Sequence, residues 1–167
     1  MATGRVGAMV VAHGFLLNVF ARLPRRGKIA VIHAVSPLYS LGALAVIRND
    51  AGEFLLVRQA YKPRWGLPGG ICKRGEEPFD AARREVFEET GLRIEIVGEG
   101  VADVDVVMRK VDMTFPARVS AGADASDIRA NLPEIVECRW FSPDQLPELQ
   151  EEAANGIMKL GVYQPTE

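Results

Sequence analysis

Residues 70–92 read GICKRGEEPFDAARREVFEETGL, and within them Glu85, Glu88 and Glu89 are spaced i, i+3 and i+4. At about 3.6 residues per turn, that spacing puts three carboxylates on one face of a helix. An isolated helix gains nothing from three adjacent like charges. A hard divalent cation reverses the sign, because such ions favour clustered oxygen ligands. The bland alternative is a solvated Glu-rich face, with Arg84 and Glu88 as a simple i,i+4 pair. Local signals frame the helix. Pro78 suits its first position and Gly91 the place just past its end. Phe79, Ala82 and Val86 predict an apolar stripe facing inward, with the glutamate face off that stripe. Leu67-Pro68-Gly69-Gly70 and Gly75 supply glycine-shaped loops on the N-terminal side, so Gly70 can bring its own carbonyl close to a metal.

The same stretch fills every specified position of G-x5-E-x7-R-E-U-x-E-E-x-G-U, where U is aliphatic: Gly70, Glu76, Arg84, Glu85, Val86, Glu88, Glu89, Gly91 and Leu92. On these residues the chain resembles the Nudix (MutT-like) hydrolase family. The resemblance implies an α+β fold, a mixed β-sheet sandwiched between helices in α/β/α layers. It also implies an enzyme that cleaves a pyrophosphate linkage in a nucleoside di- or triphosphate or a nucleoside diphosphate derivative. By the same resemblance Glu85, Glu88 and Glu89 bind Mg2+ or Mn2+ with the Gly70 carbonyl. Arg84 braces the glutamates, and Glu76 pairs with Arg84. For the general base two candidates stand: Glu85 within the box, and Glu134 in the loop before a late strand. A nucleotide-sensing Nudix domain that does not cleave is the alternative function, although such domains usually lose box carboxylates. A prenyl diphosphate isomerase is a third reading, but Cys72 is not in an obviously suitable place for its chemistry.

The substrate is less legible. Arg58, Tyr61 and Trp65 are the candidate substrate contacts, with Lys62 and Arg64 as further cations and Trp65 favoured at the pocket mouth because aromatic faces accept any base. Phe115 reads as core. Fifteen residues beyond the box stands Val107, where many ADP-ribose-cleaving members carry proline.

Along the rest of the chain, Leu41 to Ile47 and Phe54 to Gln59 read as strands joined by the hairpin signal Asn49-Asp50-Ala51-Gly52. Arg93 to Val97, Val101 to Met108 and Val111 to Val119 predict further strands, with Pro116 hinting at an edge or an irregular end. Ile135 to Phe141 is another. Ser142-Pro143-Asp144-Gln145 resembles a capping box opening a short helix, and Glu148 to Leu160 predicts the closing helix.

At 167 residues with a net charge of −2, the composition is that of a globular protein. It offers no electrostatic footprint for duplex nucleic acid. Cys72 and Cys138 make no disulfide framework, which suits a cytoplasmic protein. Residues 1–36 form an N-terminal extension to a hydrolase domain spanning 37–167. Val6, Met9, Val10, Leu17 and Phe20 suggest an amphipathic helix, too short and too interrupted for a transmembrane segment. Lys28 to Val35 looks like a strand. The extension reads as a helix packed on the domain, or an arm of a homodimer, in preference to a membrane-surface element.

Overall fold

The computed structural model describes residues 17–161. The chain divides into two compact units, Met1–Leu38 and Tyr39–Glu167. The expected amphipathic helix lies largely outside the described residues, which show helix at 17–22.

In the first unit the expected strand at 28–35 is instead a helix, α1 (Arg25–Val35). The β-branched residues Val31 and Ile32 suggested the strand. A strand needs a neighbour for its backbone groups, whereas a helix satisfies them internally. Pro24 starts the turn by accepting the Lys28 N–H at 3.1 Å, and Ser36 closes it on Ile32 at 2.9 Å.

The second unit holds seven strands: β1 (Ser40–Arg48), β2 (Phe54–Gln59), β3 (Gly69–Ile71), β4 (Ile94–Ile96), β5 (Val101–Asp105), β6 (Lys110–Val119) and β7 (Ile135–Phe141). Its helices are α2 (Pro78–Thr90) and α3 (Glu151–Lys159). The sheet runs β4-β6-β1-β2-β7, with β3 on β1 and β5 on β6. β1 and β6 pair in parallel along their whole length. Their outer neighbours change halfway. At one end the lateral row is Ile71, Gly42, Asp112 and Asp103, from β3, β1, β6 and β5. At the other end β2 and β4 take over.

Alternation in β1 and β2 divides the core between two faces. Ala45, Ile47 and Leu55 pack with Val86 of α2, and with Leu92 and Ile94. Leu44, Val46, Phe54 and Leu56 pack with Ala153 and Ile157 of α3. Both faces of a mixed sheet are thus covered by helices, as the α/β/α layering requires.

Several local expectations change. Phe79 is 39 % exposed and lies under Arg83, while Ala81, Ala82, Val86, Glu89 and Thr90 face inward. The buried stripe therefore includes one of the three glutamates. Of the two readings of Pro116 the edge fails, because β6 is interior; the proline sits at an irregularity, where β4 gives way to β5, its carbonyl accepting the Val97 N–H at 2.9 Å. A missing donor costs least at such a break. β5 stops at Asp105, whose carboxylate caps the following turn through the Met108 N–H at 2.8 Å. Ser142 bonds the Asp144 carboxylate, and Pro143–Gln145 is a single 3-10 turn without the expected side-chain cap. The last helix starts at Glu151, because Glu148 and Gln150 give their backbone groups to Trp65 (3.1 and 2.7 Å).

Candidate active site

α2 begins with Pro78 at its first turn and ends at Gly91 in the left-handed conformation, φ 72°. Its N-terminal approach is the strand Gly69–Ile71 against β1. Gly69 adopts φ 149°, and a Cβ there would lie 2.2 Å from the Ala43 carbonyl oxygen. A Cβ on Gly70 would sit 2.6 Å from the Glu85 carboxyl carbon. Gly69 needs glycine for its positive φ and its close approach to the β1 backbone, and the space left at Gly70 is taken by the Glu85 carboxylate. Glu89 reaches the backbone here: its Oε2 accepts the Gly69 N–H at 2.9 Å in a buried setting.

Arg84 binds three of the box carboxylates. Its Nε and Nη2 donate to the two oxygens of Glu76 at 2.7 and 2.8 Å. Its Nη1 donates to Glu85 at 2.5 Å and Glu88 at 3.2 Å. A planar guanidinium with five donors suits this shared role, which an ammonium could not copy. The Arg84 pairing and the Lys73 N–H bond hold the Glu76 carboxyl down at about 2, and Glu76, then Glu85, push the Arg84 guanidinium up. Glu89 has no such partner. Burial first, then the charges of Glu85, Glu134 and Glu88, push it up to about 8, against the opposing Gly69 N–H bond.

The structure brings Glu85, Glu88, Glu89, Arg84 and Gly70 to one corner, and Glu134 lies close enough for its charge to act on Glu89. Glu134 is exposed, and its carbonyl accepts the Ala60 N–H at 2.9 Å. Among the described residues, no three His, Cys, Asp or Glu side chains converge as a ready-made metal cage. Arg84 draws Glu85 and Glu88 toward itself, while Glu89 turns back to Gly69. The donor set still fits a hard cation: all oxygen, anionic, and with one buried carboxylate short of positive charge.

Two of the three expected substrate contacts, Arg58 and Trp65, pack on the α3 side of the sheet. Arg58 follows Phe54 and Leu56 at period two, so it lies on the α3 side of the sheet. There it pairs with Glu137 at 2.9 Å and covers the Trp65 ring at 5.9 Å. Trp65 is half-buried, edge-on to Phe141 at 4.8 Å, and belongs to the core rather than a pocket mouth. Tyr61 is 66 % exposed. Arg64 pairs with Glu148 at 2.7 Å. Cys72 packs beside Ala43, Ala81 and Ala82, and burial pushes its thiol up, away from the thiolate an isomerase would use.

Sequence reasoning missed a cavity of about 520 Å3 on the α3 face, lined by Lys62, Asp103, Asp105, Lys110, Asp112, Glu151, Glu152 and Asn155 among others. Lys62 bonds Glu152 at 2.7 Å and Gln150 at 2.8 Å. Lys110 pairs with Asp112 at 2.8 Å, and Lys159 with Asp103. Asp112 leans over Gly42, and its Oδ1 is buried without a partner. A signal was present: Asp103 and Asp105, then Lys110 and Asp112, alternate at period two on strands that face a helix.

Residues 38–160 match the NUDIX domain family. The chain is 29 % identical over 116 residues to a MutT-like protein of Streptomyces ambofaciens, covering 70 % of this chain and 72 % of that one. It is 30 % identical over 110 residues to a putative 8-oxo-dGTP diphosphatase of Bacillus subtilis, covering 66 % and 71 %. The crystal structure of a MutT NUDIX hydrolase from Burkholderia pseudomallei superposes with a TM-score of 0.62 at 25 % identity, over 74 % of this chain and 99 % of that one. With the complete box, the sandwiched mixed sheet and these relatives, the chain belongs to the NUDIX family and is a pyrophosphate-cleaving hydrolase.

Proposed function

We propose that the chain hydrolyses a nucleoside triphosphate or a nucleoside diphosphate derivative, with Mg2+ or Mn2+ held by Glu85, Glu88, Glu89 and the Gly70 carbonyl. The observation that carries this reading is Glu89. A buried carboxylate raised to about 8 among three other glutamates lacks positive charge, and a dication is what would restore its ionised form. Such an ion, when bound, neutralises phosphate oxygens and lowers the pKa of water beside it. Arg84 keeps Glu85 and Glu88 oriented while Glu76 anchors its other edge. Glu85 and Glu134 both remain within reach of the role of general base, since each acts on Glu89 through its charge.

For the base of the nucleotide we favour the cavity on the α3 face. Its lining lysines are held by Glu152 and Asp112, and Asp103, Asp105 and Glu151 also line it, which leaves acceptors as its spare groups. Acceptors match a purine edge rich in N–H donors and repel a phosphate. In the row Ile71–Gly42–Asp112 the cavity lies two strands, about 10 Å, from the strand beside the carboxylate corner. That is a span a nucleotide can cover. The Bacillus relative, a putative 8-oxo-dGTP diphosphatase, fits a donor-rich base of this kind.

A release assay for pyrophosphate and phosphate tests the proposal, run over nucleoside triphosphates, oxidised purine nucleotides, nucleotide sugars and dinucleotides. Turnover is expected with Mg2+ or Mn2+, highest on a purine nucleotide and absent with a chelator. Release unaffected by the chelator would remove the metal assignment. Preference for a pyrimidine nucleotide would remove the cavity assignment.

A further inference from the structure

The first unit differs from the second in the sign of its charge. None of the 22 acidic residues precedes Asp50, whereas Arg5, Arg22, Arg25, Arg26 and Lys28 all lie before Tyr39. Three of these cations fall in or next to the first turn of α1, which contains no acidic residue. Positive charge at a helix N-terminus opposes the helix dipole, so this placement does not serve the helix. An external anion would remove the conflict.

No residue of α1 is buried. Ile29, Ile32 and Val35 recur at steps of three and so stand side by side, with Val31 one turn before Val35. Val35 is 79 % exposed and Leu38, just beyond the helix, 68 %. No helix among the described residues is long and apolar enough to cross a membrane.

We infer that residues 17–38 are a docking arm for an anionic phospholipid surface. The arm lies in the interface, with Ile29, Ile32 and Val35 entering the acyl boundary and Arg22, Arg25, Arg26 and Lys28 meeting headgroup phosphates. An acidic protein surface would match the cations but leave the isoleucine and valine side chains in water. A second copy of the arm would bury those side chains but bring cations together with no carboxylate to separate them. A charged bilayer takes both at once.

The test uses the full chain with sedimenting vesicles, either pure phosphatidylcholine or phosphatidylcholine with about one third phosphatidylglycerol. Binding is expected on the anionic vesicles alone and is lost in high salt, because the attraction is screened. Arg25→Glu with Arg26→Glu should lower the partition about tenfold or more. Ile32→Asp should lower it comparably at low salt. Turnover of a soluble nucleotide and the circular dichroism of the folded domain should stay unchanged in both variants. Equal partition to the two vesicle types, or to neither, overturns the inference. A dimer in light scattering that Ile32→Asp dissociates, without lipid binding, overturns it too and assigns the face to a second copy.

Discussion

At the start of α2 one guanidinium serves Glu76, Glu85 and Glu88 and leaves Glu89 to a single amide. In the cavity on the α3 face each lining lysine has a carboxylate of its own, Lys62 with Glu152 and Lys110 with Asp112, and Lys159 outside the lining pairs with Asp103. Both regions hold more carboxylates than cations, but only the first buries a carboxylate that has no cationic partner. Such a buried, unpaired anion is a means of drawing in a dication. A cavity whose lysines are already paired offers shape and directed acceptors instead, and on the proposed reading it discriminates without driving the reaction. The largest effect should therefore come from Glu89. Glu89→Gln keeps an oxygen for the Gly69 N–H but removes the anion. Its kcat should fall about a thousandfold, with a far-ultraviolet spectrum and melting curve like those of the parent. Turnover within tenfold of the parent would break the distinction between the two regions. Arg84→Lys comes next. It retains charge but loses the forked contacts to Glu76 and Glu85. Turnover at low Mg2+ should drop roughly tenfold to a hundredfold, with partial recovery as Mg2+ is raised.

The buried, unpaired carboxylate also predicts how stability responds to pH. Burial pushes the Glu89 carboxyl up to about 8 in the folded chain, from an ordinary value near 4.5. Its folded pKa is raised, so its contribution to stability is fully present below about 4.5 and is lost as pH rises through 8. In chelator, thermal unfolding should occur at a lower temperature at pH 8.5 than at pH 6, a loss of the order of a few kcal/mol. Mg2+ should restore more at pH 8.5 than at pH 6. Glu89→Gln should flatten the profile. Glu76 has the opposite sign: held at about 2, it contributes above 4.5 and loses that contribution only in acid. The two responses can therefore be separated in one titration.

How much of this was legible in the sequence follows from where the residues come from. The carboxylate corner is written in one continuous stretch, because a helix with its leading loop carries Gly70, Glu76, Arg84, Glu85, Glu88 and Glu89 at fixed offsets. Spacing alone therefore implies the shared face. The burial of Glu89 was not visible, since it depends on Gly69 packing against Ala43 of a distant strand. The cavity was only partly legible. Asp103, Asp105, Lys110 and Asp112 alternate along their strands, but Lys62 and Glu152 join them only in the folded chain, and each alone looks like ordinary surface charge. Trp65 was drawn toward the site by its neighbours in sequence, yet its ring serves the core beside Phe141. The strand expected at 28–35 failed because β-branched residues signal a strand only where another strand is present to pair.

The smallest expected effect tests the cavity's side of the comparison. Lys62 ties the loop after β2 to the start of α3 through Gln150 and Glu152. The Lys62–Glu152 pair is partly open to solvent, with side chains 37 % and 28 % exposed. Its loss should therefore cost stability only about 1 kcal/mol or less. Lys62→Met keeps most of the aliphatic stem and removes the charge, which leaves Glu152 unpaired at the cavity wall. A purine would then meet a looser loop that no longer holds the cavity wall in place, while Glu85, Glu88 and Glu89 are untouched. KM should rise several-fold with kcat within about twofold, the signature of lost binding shared by ground state and transition state. A kcat that fell with KM unchanged would mean that Lys62 acts on the reacting phosphates. Lys62 would then belong with the carboxylate corner rather than with the cavity.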